Sequence, residues 1–338
     1  MTNNMKSRKL VLTDTWYHAE FPEISDALQD LVSPLVWKVA SRLSVVRAML
    51  FLVYGRKYQK LVTCWHGTGR FLVVLAALLG LRKVVLLEFI DFNYPSKPAY
   101  IAKPYALIVK FILSPSLRRA AMSMQVLTDW ERPFMAERYA YPVDQIYVIA
   151  WPLILGEVKT RPFDAVLPQA MVFSSGRAAC DWETLFAACE IGGWPLTVVC
   201  TGEDLSRVTR LNAKRVASVL SDIPKAEHDS LFYSATVYAL CLKEATKSSG
   251  QIRLACSIEA GVPVVATDVK GLNGYLMNGV TAIAVPPADA QALSDAISKL
   301  IDFPHERQLL AVNALEYAKR FDRSSYIKEI VDLIQSSN

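Results

Sequence analysis

Long uncharged apolar stretches are missing from this chain of 338 residues, and the first exclusion follows from that. Its longest charge-free apolar runs gather around residues 71–81, whereas a membrane-spanning helix needs about 20 such residues, so no transmembrane helix is expected. Glycine and proline together number 31 of 338, too few for a disordered, collagenous or low-complexity chain. The six cysteines, Cys64, Cys180, Cys189, Cys200, Cys241 and Cys256, form no C-x-x-C pair. The four histidines lie far apart, and no Asp-x-Asp pair is present. Neither a zinc site, a disulfide framework nor another metal site is expected. The polar N-terminus runs into Leu10-Val-Leu without an apolar core segment, which predicts no signal peptide and a cytoplasmic protein. No internal repeat stands out.

What is present is core-forming sequence. Hydrophobic residues make up 52% of the chain and mean hydropathy is +0.23, so at this length two domains are the starting expectation. The net charge of +5 is uneven. Residues 1–150 hold 19 basic and 11 acidic side chains, a net +8; residues 151–338 hold 18 and 21, a net −3. Only the first half is suited to an anionic surface such as a membrane or a nucleic acid.

Short apolar runs alternate with helical patterns throughout. In the first half the order is Lys9-Leu-Val-Leu-Thr, a helical pattern over 24–52, Leu61-Val-Thr-Cys-Trp, a helix over 71–79 and Lys83-Val-Val-Leu-Leu-Glu. The second half repeats the scheme, with strands at 170–174, 196–200, 235–240 and 263–267 and helices at 182–190, 206–219, 252–260 and 291–301. Leu293, Ala296, Ile297, Leu300 and Ile301 fall on one helical stripe, and Ile327, Ile330, Val331 and Ile334 predict a last helix. Strand–helix–strand alternation predicts parallel sheets, hence an α/β fold of two doubly wound Rossmann-like domains. Prolines 152, 162 and 168 put the boundary within 151–169, giving domains 1–157 and 158–338.

The turn Ser248-Ser249-Gly250 precedes a short helix and leaves the amides of Gly250, Gln251 and Ile252 unpaired at its N-terminus. Such a turn suits an anion, and a plain serine cap on a core helix is the competing reading. The stretch that follows, Glu259-Ala-Gly-Val-Pro-Val-Val-Ala-Thr-Asp-Val-Lys-Gly-Leu, and then Asn278-Gly-Val-Thr-Ala-Ile-Ala-Val-Pro-Pro, resembles the nucleotide-binding half of GT-B glycosyltransferases. The resemblance is strongest to the retaining family 4, the glycosyl transferases group 1. Phe173-Ser-Ser-Gly-Arg with Asp181-Trp-Glu-Thr-Leu, and Leu127-Thr-Asp-Trp-Glu with Ile146-Tyr-Val-Ile-Ala-Trp-Pro, extend it over roughly residues 125–335.

The resemblance implies a GT-B fold with a central cleft between the two domains and a nucleotide-sugar donor. Substrate-binding residues are then expected at Gly176, Arg177, Ser248, Ser249, Gly250, Gln251, Arg253, Cys256 and Glu259. It implies no cofactor and no metal. Two departures stand out: the family usually carries glutamates where this chain has Ser248 and Cys256, with Glu259 as a substitute candidate for the ribose contact. A further position, Cys180, stands where the family tends to carry a base.

In the first half, Val62-Thr-Cys-Trp-His-Gly-Thr-Gly-Arg ends a strand in a glycine-bearing turn. His66 and Glu88, with Asp91, are the catalytic candidates because polar groups at strand carboxyl ends line such a cleft. Retaining transfer needs positioning and charge more than a strong base. Residues 36–60 and 100–119 mix Lys38, Arg42, Arg47, Arg56, Lys57, Lys60, Lys103, Lys110, Arg118 and Arg119 with aromatic and aliphatic residues, and 36–60 contains no acid. Such a mixture fits an interfacial helix on anionic lipid, or else a core helix with a solvated basic face. Nucleic acid is not expected, since no stacking platform or reading helix is evident.

The expectation is therefore a metal-independent, retaining glycosyltransferase, peripheral on the inner face of the membrane. It would move sugar from a nucleotide diphosphate to a lipid-linked or membrane-presented glycan acceptor in cell-envelope or exopolysaccharide assembly. A catalytically silent GT-B partner of another transferase and a nucleotide-sugar epimerase are the alternatives.

Overall fold

Strands made almost entirely of buried apolar residues, such as Val84–Leu87 and Val264–Thr267, need cover on both faces, and both belong to sheets with helices on either side. A computed structural model describes residues 10–90, 99–156, 158–163, 169–244 and 248–337. The chain divides into two units, residues 1–150 with 327–338, and residues 151–326.

The first unit is built on β1 (Val11–Thr13), β2 (Ser25–Ala27), β3 (Lys60–Cys64), β4 (Val84–Leu87), β5 (Ala121–Val126) and β6 (Ile146–Val148), all parallel in the order β2-β1-β3-β4-β5-β6. Between them run α1 (Pro34–Ala40), α2 (Ser44–Tyr54), α3 (Arg70–Leu78), α4 (Ala99–Ile108), α5 (Ser114–Ala120) and α6 (Glu131–Tyr139). The order reverses direction between β1 and β3. In an open parallel sheet that reversal leaves a crevice at the strands' carboxyl ends, where ligands bind.

The second unit is built on β7 (Val172–Ser175), β8 (Leu196–Cys200), β9 (Ala217–Ser221), β10 (Val237–Leu240), β11 (Val264–Thr267) and β12 (Ile283–Val285), parallel in the order β12-β11-β10-β7-β8-β9. Its helices are α7 (Trp182–Gly192), α8 (Gly202–Leu211), α9 (Lys225–Ser234), α10 (Gln251–Glu259), α11 (Ala290–Asp302) and α12 (Pro304–Ala318). Here the reversal falls between β7 and β10. Two apolar clusters, one around Phe173, Tyr238 and Leu254 and one around Val172, Trp182 and Ile297, cover the two faces of this sheet. Leu293, Ile297 and Leu300 of α11 are buried as their spacing requires.

The expected α/β class and double winding are present, and three local expectations are corrected. Residues 24–52 are not one helical pattern, because Ser25–Ala27 is a strand paired with β1 and the helix breaks between α1 and α2. The helix expected over 206–219 stops at Leu211, and residues 217–221 are edge strand β9. There Asn212 closes the chain on itself, donating through Nδ2 to the Ala217 carbonyl (2.7 Å) and accepting the Ala217 amide (3.0 Å). The last helix, α13 (Arg323–Ser336), delivers its end to the first unit rather than the second. Lys60 is the reason: its buried ammonium donates to the carbonyls of Ile334 and Gln335 at the helix's carboxyl end. Among the described residues no helix is long and apolar enough to cross a membrane.

Candidate functional site

In the second unit the sequence after β7 is Gly176-Arg177, and the turn after β10 leads to Ser248-Ser249-Gly250 and α10, so both sit at the reversal point. Gly176 has no room for a side chain, because a Cβ there would overlap Cys180 Sγ. Gly250 caps α10 with φ +91°, a left-handed conformation, and a Cβ would stand 2.6 Å from Leu242 Cδ1 and 3.1 Å from Leu272 Cδ2. Packing and backbone together require glycine, and among the described residues no side chain caps the helix's first amides. Ser248 and Ser249 are both buried, and Ser249 Oγ has no hydrogen-bond partner among the described residues.

Beneath Arg177 lies a small polar network. The Tyr238 hydroxyl donates to the Ser175 carbonyl (2.8 Å), and His228 Nε2 sits 2.9 Å from Ser175 Oγ. Phe173 and Phe232 pack around both rings. Burial lowers His228 to about 4, with the positive charge of Arg253 and, more weakly, Arg177 pressing the same way against Asp229. The ring is therefore neutral at pH 7. Arg253 also acts on Tyr238 and Cys180, and the charges of Arg253 and Arg177 both reach His228. Neither has an acidic partner among the described residues. Burial raises the Cys180 thiol to about 12, which keeps it protonated.

The remaining expected binders are placed differently. Gln251 is buried and its Nε2 donates to the Gly271 carbonyl. Cys256 is buried in the core that covers β10 and β11. Glu259 accepts the amides of Leu155 (3.3 Å) and Gly156 (2.7 Å), holding the chain segment that enters this unit. The turn thus brings together Gly176, Arg177, Ser248, Ser249, Gly250 and Arg253, and it does not include Glu259.

In the first unit the strand ends at the reversal point are the Asp14 loop after β1 and the Cys64–Gly69 turn after β3. Gly67 has φ +77°, and a Cβ on Gly69 would stand 2.6 Å from the Cys64 carbonyl oxygen, so this turn also demands its glycines. His66 is exposed. Glu88, one residue beyond β4, is held at φ +48°, unfavourable for a side chain with a Cβ. Gln125 imposes it: fully buried, it accepts the Glu88 amide through Oε1 (2.7 Å) and donates through Nε2 to the Ile149 carbonyl (2.7 Å). The Glu88 carboxylate accepts from the Tyr17 hydroxyl (3.0 Å). Burial raises its pKa, while Tyr17 and the nearby His66 pull it down. Asp14 is paired with Arg47 (3.3 Å), and Cys64 is pushed well up by burial and by the charges of Glu88 and Asp14. His66, Glu88 and Asp14 therefore share one electrostatic neighbourhood. Asp91 lies outside the described residues. Asp14, Tyr17 and Gln125 escaped the sequence reading; the end of the first strand was the one signal that could have found Asp14.

Among the described residues, no group of three or more His, Cys, Asp or Glu side chains could hold a metal ion.

Residues 182–302 match the family model for glycosyl transferases group 1. The structure is similar to that of the Anabaena HepE protein in complex with UDP-glucose, with a TM-score of 0.67 at 15% identity over 97% of this chain and 99% of that one. It is also similar to sucrose-phosphate synthase of Thermosynechococcus elongatus, with a TM-score of 0.68 at 18% identity over 93% and 83% of the two chains. The fold is GT-B. Among curated proteins, the D-inositol 3-phosphate glycosyltransferase of Corynebacterium urealyticum is 30% identical over 126 residues, 37% of this chain and 29% of that protein. The alpha-D-kanosaminyltransferase of Streptomyces kanamyceticus is 42% identical over 52 residues, 15% and 14% of the two. The matched stretches span less than a third of these relatives. The match to the family model centres on the second GT-B unit and takes in α10 with Arg253.

Proposed function

We propose that this GT-B protein is a glycosyltransferase that takes a sugar from a nucleotide diphosphate donor. The observation that carries the reading is the pair of acid-free guanidiniums, Arg177 and Arg253, beside the unpartnered Ser249 hydroxyl and the open amides of α10. A diphosphate satisfies all of them at once. That GT-B relatives have been captured with UDP and UDP-glucose supports a donor of this class. As the anomeric bond to the diphosphate breaks, negative charge grows on the leaving phosphate. In this reading the two arginines and the helix N-terminus receive it, a role that a divalent ion plays in other transferases. Retention follows if the departing phosphate oxygen takes the acceptor's proton as the hydroxyl attacks from the same face. His66 and Glu88 then serve to position groups rather than to act as strong bases.

The acceptor in this reading is a lipid-linked or membrane-presented glycan, used in cell-envelope or exopolysaccharide assembly on the inner face of the membrane. The basic, apolar character of the first unit supports it. The test is a thermal-shift screen of nucleotides and nucleotide sugars. A ligand at 100 times its dissociation constant stabilises the fold by about 2.7 kcal/mol. No shift with any nucleoside diphosphate would sink the proposal.

A second reading is favoured by Ser248 and Cys256 standing where the family carries carboxylates: a catalytically silent partner of another transferase. Donor turnover by the purified protein would remove it.

A further inference from the structure

The outer helical layer of the first unit is apolar where a surface helix is ordinarily polar. α3 packs between α2 and α5, and α1 packs on α2, so the four helices are neighbours in one layer. α1 is seven residues long and buries only Ala40; Leu35, Val36 and Val39 are exposed, Leu35 at 75%. On α2, Val45, Met49 and Val53 form an exposed stripe at i, i+4, i+8 while Ala48 and Phe51 face the core. α4 continues through a wider turn, Val109–Leu113, into α5. Along it Tyr105, Val109 and Leu113 point inward, and Ile101, Leu107, Ile108, Phe111 and Ile112 point outward, with Phe111 at 65%. Among the described residues the first unit exposes twenty large apolar side chains and the second six. Apolar side chains exposed on neighbouring helices in this way mark an interaction site.

The charge of the face selects the occupant. Between Asp30 and Asp129 the chain carries fourteen lysines and arginines, and its only acids are Glu88 and Asp91. Lys38, Arg42, Arg56, Lys57, Lys103, Lys110, Arg118 and Arg119 are exposed among the apolar residues. A second copy placed about a two-fold axis would set this positive face against itself, which is unfavourable. Most of the exposed apolar side chains are aliphatic, and the exposed aromatics Tyr54, Phe71, Tyr100 and Phe111 lie on helices rather than on a sheet that could stack successive bases of a nucleic acid. An anionic bilayer satisfies both halves of the surface, phosphates meeting the cations and acyl chains meeting the apolar side chains.

We propose that the outer face of α1, α2 and residues 100–119 docks on anionic lipid and inserts Leu107, Phe111 and Ile112, with the α1 side chains, below the headgroups. The inference deepens the membrane-side reading of the acceptor and rests on it. One contact ties the face to the strand-end cluster: Arg47 donates to the carbonyls of Ala40 (3.2 Å) and Ser41 (2.8 Å) at the end of α1 and to Asp14 (3.3 Å). The lipid-facing helix is thus fastened to the first unit's crevice, so an acceptor drawn from the bilayer arrives beside it.

The experiment is co-sedimentation of the full chain with vesicles of phosphatidylcholine alone and of phosphatidylcholine mixed with phosphatidylglycerol. Binding is expected only to the mixed vesicles and should weaken as salt rises. The triple variant Lys103→Gln/Lys110→Gln/Arg119→Gln should partition about 100-fold less, about fivefold per charge; Arg118 is kept because it donates to the Ala140 carbonyl. The triple variant Leu107→Ser/Phe111→Ser/Ile112→Ser should also lose more than tenfold, with its salt dependence unchanged. Its side chains are exposed, so circular dichroism should match the parent. If the apolar triple binds like the parent while the charge triple is released, the contact is electrostatic adsorption or an acidic protein site, and insertion is overturned. A parent that ignores anionic vesicles, or forms a dimer that hides this face, overturns the docking. Nucleotide thermal shifts on the same samples separate the two readings: a shift without vesicle binding removes only the docking, and vesicle binding without any shift removes only the donor assignment.

Discussion

The two units place their loops at equivalent reversal points of parallel sheets and furnish them with opposite chemistry. At the β7/β10 reversal the second unit offers Arg177, Arg253, the Ser249 hydroxyl and the α10 amides, with a neutral His228 beneath. At the β1/β3 reversal the first unit offers Asp14, Glu88, Tyr17 and an exposed His66, with Arg47 already paired to Asp14. The first arrangement suits a polyanion. The second, whose carboxyl is half-buried with a raised pKa, suits a hydroxyl that has to be held by hydrogen bonds. One topology therefore serves two binding tasks, and the loops rather than the sheets carry the difference.

The largest effect that could break this contrast is on nucleotide affinity. Arg177→Ala/Arg253→Ala should weaken nucleoside diphosphate binding by more than 100-fold, since each charge-assisted phosphate contact contributes about 1.5–3 kcal/mol. Calorimetric titration measures it. Glu88→Gln should leave the same affinity unchanged while lowering transfer. If the Glu88 variant lost nucleotide affinity and the arginine variant kept it, the two assignments would have to be exchanged.

The second effect is on stability against pH. His228 titrates near 4 in the folded chain and near 6.5 when unfolded, so the unfolded state binds the extra proton between those values. Stability is full above about pH 6.5 and falls as pH drops through 4, by on the order of 3 kcal/mol for this group alone. His228→Asn should flatten that part of the curve in urea titrations. Since Arg253 and Arg177 help to keep the ring neutral, a bound diphosphate should raise its pKa, which histidine NMR shifts would register. Absence of any shift on saturation with UDP would place the anion elsewhere.

Much of this architecture is legible in the sequence. Runs such as Leu196-Thr-Val-Val-Cys read directly as strands because both faces are buried, and the Gly-Arg and Ser-Ser-Gly turns mark the ends of β7 and β10. What is not legible depends on tertiary partners. The three-residue strands β2 and β12 are too short for periodicity to declare. Glu259 is an isolated acid on a helix, and only the folded chain reveals that it accepts the amides of Leu155 and Gly156. Gln125 reads as an ordinary strand residue, yet it sets the backbone of Glu88 from 37 positions away.

Gln125 therefore supplies the smallest and sharpest test. Gln125→Leu keeps the volume of the side chain but removes both of its hydrogen bonds, leaving the Glu88 amide and the Ile149 carbonyl unpaired in a buried setting. The expected cost is about 1–3 kcal/mol. Loss of that amide contact leaves only the Phe89 amide on the Gln125 main-chain carbonyl (2.8 Å), the Ile90 amide on the Glu88 carbonyl (2.7 Å) and the Tyr17 hydroxyl on the carboxylate (3.0 Å) to hold Glu88 at φ +48°, and the backbone should relax toward negative φ, loosening the carboxylate from Tyr17. Because the change is confined to the first unit, nucleotide affinity should be unaltered while transfer to any acceptor falls. Glu88→Gly relieves the backbone directly: in the Gln125→Leu background it should recover stability but not transfer. Recovery of both would mean that the Glu88 carboxylate has no part in holding the acceptor, and the contrast between the two strand-end sites would reduce to one functional site and one structural turn.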